Sequence, residues 1–169
     1  MPSLGSAWGS SDNGSSSALE ALRDVAVISS YNAGDTVYYE QIESRYCYGI
    51  VRGAARKVIV LSEGRRSIVE FLMPGDLFGF GSSFERHYSV EVIAARTAIA
   101  RYAFLQIEEL ASRDPLVARC IRSNVIESLA RSQWRAVLRG AKALDKVSAF
   151  LMEMAERSGW EARDEVVLP

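Results

Sequence analysis

The segment from residue 74 to residue 96, PGDLFGFGSSFERHYSVEVIAAR, carries residue types that bind phosphate. A Pro-Gly-Asp turn leads into an aromatic residue between two glycines, and a short polar loop follows. Glycines let backbone N–H groups converge on an anion, and a guanidinium supplies the charge that a buried phosphate requires. The sequence therefore predicts a candidate effector pocket, formed by Gly79, Phe80, Gly81, Ser82, Arg86, Tyr88 and Ser89.

The chain has few of the residues from which a catalytic or metal-binding site could be built. The sequence contains one histidine, His87, and two cysteines, Cys47 and Cys120, which are not spaced as a CxxC pair. A site with two or three histidines is impossible, and no Ser-His-Asp or Cys-His arrangement is credible. We therefore expect a protein that is not an enzyme and has no metal and no cofactor. A redox role for Cys120 stays open as an alternative, because Arg119 and Arg122 are near it in the sequence.

The bulk composition describes an ordinary globular protein. Of 169 residues, 49% are hydrophobic, and the net charge is −1, which argues against a broadly basic protein that coats nucleic acid. No run approaches the roughly 18 consecutive apolar residues of a membrane span. Residues 1–17 are rich in Ser and Gly, so we expect a disordered tail there. Two unpaired thiols suit a reducing compartment, and we expect a cytoplasmic protein without a membrane partner.

The middle of the chain has the pattern of an antiparallel β protein. After an apolar helical spacing over residues 18–28, short β-prone runs recur between turn residues such as Gly53, Gly64 and Gly75. Regularly spaced short strands with glycine turns indicate a sandwich or barrel. The predicted strands cover residues 36–40, 46–51, 56–61, 67–72, 89–94 and 97–102.

A long helix follows the strands. Asp114 is the expected N-cap and Pro115 the first helical residue, and nothing breaks the pattern before Arg139, a run of about 39 Å at 1.5 Å per residue. Its apolar stripe is longer than a small β domain can cover, so the sequence predicts a homodimer through this helix. The alternative is a helix packed entirely on its own barrel. The predicted dimerisation residues are Val117, Ile121, Val125, Leu129 and Ala136.

The order of these parts resembles the Crp/Fnr superfamily of bacterial transcription regulators, and within it the FixK-like branch. The ordered series carries the resemblance, above all LSEGRR feeding a strand into PGDLFG. The resembling stretches are YNAGDTVYYEQ (31–41), YGIVRGAAR (48–56), LSEGRRSIVEFLMPGDLFGF (61–80), SVEVIAART (89–97) and DPLVARC to AERSG (114–159).

The resemblance implies an α+β fold that is mainly β. This fold is an antiparallel double-stranded β-helix, or jelly roll, of the cyclic-nucleotide-binding type, followed by a long dimerisation helix. The implied domains are a β roll with flanking helices over 18–112, the dimerisation helix over 114–139, and a truncated start of a winged helix-turn-helix over 141–169. No stretch resembles the recognition helix, so we expect no DNA-binding residue here. DNA and RNA polymerase become partners only if a helix-turn-helix follows in the full-length protein.

The resemblance also implies that the pocket has degenerated. Cyclic-nucleotide binders of this family place a Glu for the ribose where Phe80 stands, and an Arg for the phosphate where Tyr88 stands. Ser89 and the glycines fit the pattern, and Arg86 reaches the phosphate position only if the loop is threaded differently. Oxygen-sensing members carry an N-terminal cysteine cluster, whereas residues 1–17 contain no cysteine. We therefore expect a regulator that does not respond to cyclic nucleotides.

Two other functions stay open at this point. One is a stand-alone effector-binding module that takes a small anionic or apolar ligand in the remodelled pocket. The other is a truncated interaction protein that forms mixed dimers with a full-length regulator.

Overall fold

The structure is a computed structural model that describes residues 21–42, 45–80 and 87–157. The predicted tail over 1–17 and the end of the chain after residue 157 lie outside the described residues. The chain divides into two compact units, Met1–Ser128 and Leu129–Pro169. The first unit contains the β roll and most of the long helix.

Eight strands form two four-stranded antiparallel sheets. One sheet has the order β1-β8-β3-β6 and the other the order β2-β7-β4-β5. This architecture confirms the predicted antiparallel roll. The strands are β1 (Val27–Tyr31), β2 (Thr36–Tyr38), β3 (Tyr46–Arg52), β4 (Ala55–Val60), β5 (Arg66–Leu72), β6 (Leu77–Phe78), β7 (Ser89–Val92) and β8 (Thr97–Ala103).

Two strands differ from the sequence prediction. Val27 and Ile28 begin β1 and pair with Arg101 and Ala100 of β8, although the apolar spacing had extended the first helix to residue 28. The helical turn there covers residues 21–24. Strand β6 has only two residues, too few for an alternating pattern to be visible in a sequence.

The glycine between β3 and β4 is required by a close approach. Gly53 has a φ of +86°, in the region that favours glycine, and a Cβ built there would lie 2.2 Å from the hydroxyl oxygen of Thr97. Thr97 is itself fully buried, and its hydroxyl donates to the carbonyl of Ala94 at 2.7 Å. The sheet corner therefore tolerates no side chain at position 53.

In the first sheet, strands β3, β6 and β8 have buried residues on both faces, whereas most of β1 is exposed. The two residues of β6 point to opposite faces of the sheet. Phe78 packs in the cluster between the two sheets, and Leu77 packs in the cluster toward the helices. We call the first cluster the roll core. Its buried members are Tyr38, Tyr48, Ile50, Ala55, Leu72, Phe78, Val90, Val92 and Ile99. We call the second the helix-side core, and its buried members are Leu22, Cys47, Leu77, Ala100, Tyr102, Ile107 and Val117.

Helices occupy the chain after the last strand. Helix α1 covers Phe104–Arg113 and helix α2 covers Pro115–Val137, and a 3-10 turn at Leu138–Gly140 precedes helix α3 at Ala143–Arg157. The backbone N–H of Leu116 donates to the Asp114 carboxylate at 2.8 Å, which confirms Asp114 as the cap of α2. None of the described helices combines the length and the apolar character that a bilayer crossing demands.

Candidate effector site and dimerisation surface

The Pro-Gly-Asp turn before the predicted pocket is fixed by its own hydrogen bonds. The N–H of Gly75 donates to the carbonyl of Ile50 at 2.9 Å, and the N–H of Ile50 donates to the carbonyl of Asp76 at 3.0 Å. The Asp76 carboxylate in turn accepts from the N–H of Met73 at 2.8 Å. The turn is thus anchored to β3, and the loop that follows starts from a fixed position.

Helix α2 holds the same turn through one side chain. The amide oxygen of Asn124 accepts from the N–H of Leu77 at 2.9 Å, and its amide nitrogen donates to the carbonyl of Gly75 at 2.8 Å. These bonds join residues 47 and 49 positions apart in the sequence. Sequence reasoning missed Asn124, because a single Asn within a helix gives no signal of a tertiary partner. The contact links the predicted effector loop directly to the predicted dimerisation helix.

We expect Asn124→Ala to destabilise the protein by about 2 kcal/mol, because two part-buried backbone groups lose their partner. Urea unfolding of the variant and the parent measures this difference. Ser123→Ala is the matched control, since Ser123 is the exposed neighbour on the same helix. Equal losses in the two variants would show that the contact to the turn contributes nothing.

Tyr88 and Ser89 already bond to other parts of the protein. The Tyr88 hydroxyl accepts from the N–H of Gly79 at 3.2 Å, and the Ser89 hydroxyl accepts from the N–H of Glu40 at 3.0 Å. Gly79 has a φ of +84°, so a glycine suits this bend in the backbone. The described residues on both sides of the loop are therefore already hydrogen-bonded within the protein. The predicted pocket residues Gly81, Ser82 and Arg86 lie outside the described residues.

Phe80 and Tyr88 pack in different cores. Tyr88 packs against the roll core, with its ring centroid 5.9 Å from that of Tyr38. Phe80 packs against the helix-side core, with its ring centroid 6.2 Å from that of Phe104. The structure thus separates two residues that the sequence had placed in one pocket, because the chain changes sides between β6 and the loop.

Aromatic rings fill the centre of the roll. The ring centroids of Tyr38 and Tyr48 are 5.4 Å apart, and those of Tyr48 and Phe78 are 5.5 Å apart and stacked. All three side chains are buried. Such packing contributes through both apolar burial and ring geometry. The interior beside Tyr88 is therefore apolar and occupied.

A buried ion pair borders the same ring. The ammonium of Lys57 lies 2.6 Å from the carboxylate of Glu70, with the two side chains only 10% and 5% exposed. The same ammonium lies 4.9 Å from the ring centroid of Tyr88. Lys57 and Glu70 are cross-strand partners of β4 and β5, a register that the sequence did not reveal. The ammonium that contacts the Tyr88 ring is thus already neutralised by a carboxylate of the protein.

The predicted dimerisation residues in the first unit become more exposed along α2. Val117 is fully buried in the helix-side core, which differs from the sequence expectation because α2 begins directly against the roll. Ile121 is half-buried, and Val125 is 42% exposed. The part of the stripe that can face a partner therefore begins near Ile121.

In the second unit the stripe is uncovered. Leu129 is 57% exposed and Ala136 is exposed, and Val137 nearby is 71% exposed. Within this unit Arg135 of α2 lies 2.5 Å from Glu153 of α3, so the end of α2 and α3 are joined by an ion pair. The role of the stripe in dimerisation stays a prediction.

The cysteines have the environment of structural thiols. Cys47 is fully buried, and Cys120 is half-buried. Burial, and then the nearby Glu127 carboxylate, raise the pKa of the Cys120 thiol, which keeps it protonated and slow to react at neutral pH. Within the described residues, no three His, Cys, Asp or Glu side chains lie close enough together to hold a metal ion. The absence of a metal and a cofactor from the whole chain stays a prediction.

Comparison with known proteins agrees with the β-roll fold described above. The sequence profile of the cyclic nucleotide-binding domain matches residues 28–114. The nitrogen fixation regulation protein FixK of Bradyrhizobium diazoefficiens is 31% identical over 128 residues, which cover 75% of this chain and 54% of that protein. FixK of Rhizobium meliloti is 29% identical over 134 residues, covering 79% of this chain and 60% of that protein.

A solved structure also matches this fold. The structure of FixK2 from Bradyrhizobium japonicum superposes with a TM-score of 0.70 at 33% sequence identity. The superposition covers 79% of this chain and 67% of that chain. The chain spans between half and three fifths of the length of the two curated FixK relatives.

Proposed function

This chain belongs to the Crp/Fnr family of transcription regulators, in its FixK-like branch, and we propose that it forms the sensor and dimerisation portion of a DNA-binding regulator. The contact of Asn124 with both sides of the Pro-Gly-Asp turn carries this proposal. It makes the position of α2 depend on the position of the sensor loop. We assign no catalytic role to the chain.

The proposed mechanism is the positioning of two DNA-binding domains by a pair of α2 helices. The exposed apolar stripe on α2, from Val125 to Ala136, supports a two-fold pairing with a second copy. Two recognition helices held one helical turn of DNA apart match a palindromic site. We place the contacts to DNA and RNA polymerase in a helix-turn-helix portion of the full-length regulator.

We further propose that cyclic nucleotides are not the effector. A cyclic phosphate in this fold needs a cation that is not already neutralised, and Lys57 is paired with Glu70 at 2.6 Å. Tyr88 occupies the position where the family has its phosphate-binding Arg, and its hydroxyl already accepts from Gly79. The apolar, occupied interior of the roll also disfavours a ribose.

The test is a thermal-shift titration of the protein with cyclic AMP and cyclic GMP, each up to millimolar concentration. We expect no concentration-dependent rise in Tm. A bound ligand at a hundred times its Kd adds about 2.7 kcal/mol of stability, which is readily detected. Adenosine, which lacks the phosphate, is the matched control ligand. A saturable shift with a cyclic nucleotide and none with adenosine would contradict the proposal.

A further inference from the structure

A cavity of about 830 Å³ lies outside the predicted effector pocket, where the roll meets helices α1 and α2. All its lining residues belong to the first compact unit. Phe80 lines it from the end of the roll, Phe104 and Ile107 from α1, and Ile121 and Val125 from α2. Its volume lies within the roughly 300–1,000 Å³ typical of small-molecule sites. Of the predicted pocket residues that the structure describes, Phe80 alone contributes to it.

Among the described residues that line this cavity, positive charges outnumber negative charges. Its described lining residues are apolar or aromatic except Arg45, Glu108 and Arg122, so among these residues two guanidiniums face one carboxylate. All three side chains are exposed, which places the charges toward the opening. Within the described part of the chain, Arg122 forms no ion pair. The arrangement is an apolar chamber with a mainly cationic entrance.

We propose that this cavity binds an apolar carboxylic acid. The hydrocarbon body of the ligand packs between Phe104, Ile107 and Ile121, where apolar surface is removed from water. The carboxylate is held by the guanidinium of Arg122, whose planar fork matches two carboxylate oxygens. Arg45 adds to the positive field at the entrance.

A second copy of the chain fits this cavity less well. Helix α2 carries four arginines and a single carboxylate, Glu127. A partner's α2 laid across the cavity would therefore bring mainly positive charge to the entrance formed by Arg45 and Arg122. Charge complementarity thus favours a separate anionic ligand over the partner helix as the group that neutralises this entrance.

The site is connected to the predicted dimerisation stripe. Ile121 and Val125 form the α2 wall of the cavity and also the start of that stripe. A bound acid therefore contacts the helix whose pairing we propose to set the spacing of the DNA-binding domains. The binding itself does not depend on the proposed regulator function, because it is measured without DNA.

Isothermal titration calorimetry with decanoate tests the proposal, with decanol and decylammonium as ligands of the same chain length. We expect one decanoate per chain and an affinity about tenfold higher than that for decanol, the difference that a charge-assisted hydrogen bond gives. Absence of decanoate binding, or tighter binding of decylammonium, would overturn the assignment.

Three variants locate the ligand. Arg122→Gln should weaken decanoate about tenfold and leave decanol unchanged. Arg119→Gln, an exposed position of α2 that does not line the cavity, should change neither. Val125→Trp should abolish binding of both ligands by filling the cavity. Because Val125 is 42% exposed, we expect the larger side chain to leave the packing of the core unchanged. Equal effects of the two arginine variants, or full binding by Val125→Trp, would place the ligand elsewhere.

Discussion

We expect the replacement of Leu129 with aspartate to convert the proposed dimer to monomers at micromolar concentration. Leu129 is 57% exposed in the single chain and lies on the apolar stripe of α2. A two-fold axis through this stripe brings the same residue of both copies close together. Leu129→Asp therefore places two like charges in an apolar interface, and we expect the dimer Kd to rise by more than about a hundredfold. Sedimentation velocity over a range of concentrations measures the change.

The control for this prediction introduces the same charge on another face. Ser123→Asp is exposed and lies on α2 outside the predicted stripe, so it should leave the dimer intact. Far-UV circular dichroism of both variants checks that the helix is retained. In a fusion to the DNA-binding portion of a FixK relative, Leu129→Asp should also abolish binding to a palindromic duplex. Unchanged sedimentation of Leu129→Asp would show that α2 does not form the interface.

Lys57→Met should lower the free energy of unfolding by about 3–5 kcal/mol. The variant removes the cation from a pair whose side chains are 10% and 5% exposed, so the buried Glu70 carboxylate loses the ammonium that lies 2.6 Å away. The ammonium's contact with the Tyr88 ring is lost at the same time. Chemical unfolding followed by intrinsic fluorescence measures the effect. We expect this to be among the largest losses for a single substitution in the roll.

The reason for the loss is tested by removing both charges. Lys57→Met combined with Glu70→Leu should recover most of the stability, because an apolar pair needs no desolvated charge. Arg65→Met is the matched surface control. Its partner Glu63 lies 3.1 Å away in the same hairpin, with side chains 71% and 55% exposed, and no measurable change is expected. A double variant as unstable as Lys57→Met would show that packing, and not charge, causes the loss.

Local patterns were sufficient to predict most of the roll and its helices. The Asp114 cap and the positive φ at Gly53 are local backbone features, so they are visible in the sequence, whereas the close approach of Gly53 to Thr97 is not. Strands β1 and β6 were missed for local reasons. The apolar residues of β1 continue the spacing of the preceding helix, and β6 is two residues long.

The candidate site was less predictable, because its decisive contacts are long-range. The sequence identified the loop and its unusual residues Phe80 and Tyr88, but not that they pack in different cores. The Lys57–Glu70 pair depends on the register of two strands, and the role of Asn124 depends on how α2 packs on the turn. The increase in exposure from Val117 to Val125 likewise follows from where α2 leaves the roll.

The hydrogen bonds of Asn124 restrict how α2 can move relative to the Pro-Gly-Asp turn. Sliding α2 by one helical turn, about 5.4 Å, would bring Cys120 or Ser128 to the place of Asn124. A thiol or a hydroxyl does not reproduce the pair of amide bonds that Leu77 and Gly75 receive. The loss of these bonds therefore disfavours a slide of α2 along the roll by one helical turn. Within the first unit, we therefore expect α2 and the turn to move together as one rigid body.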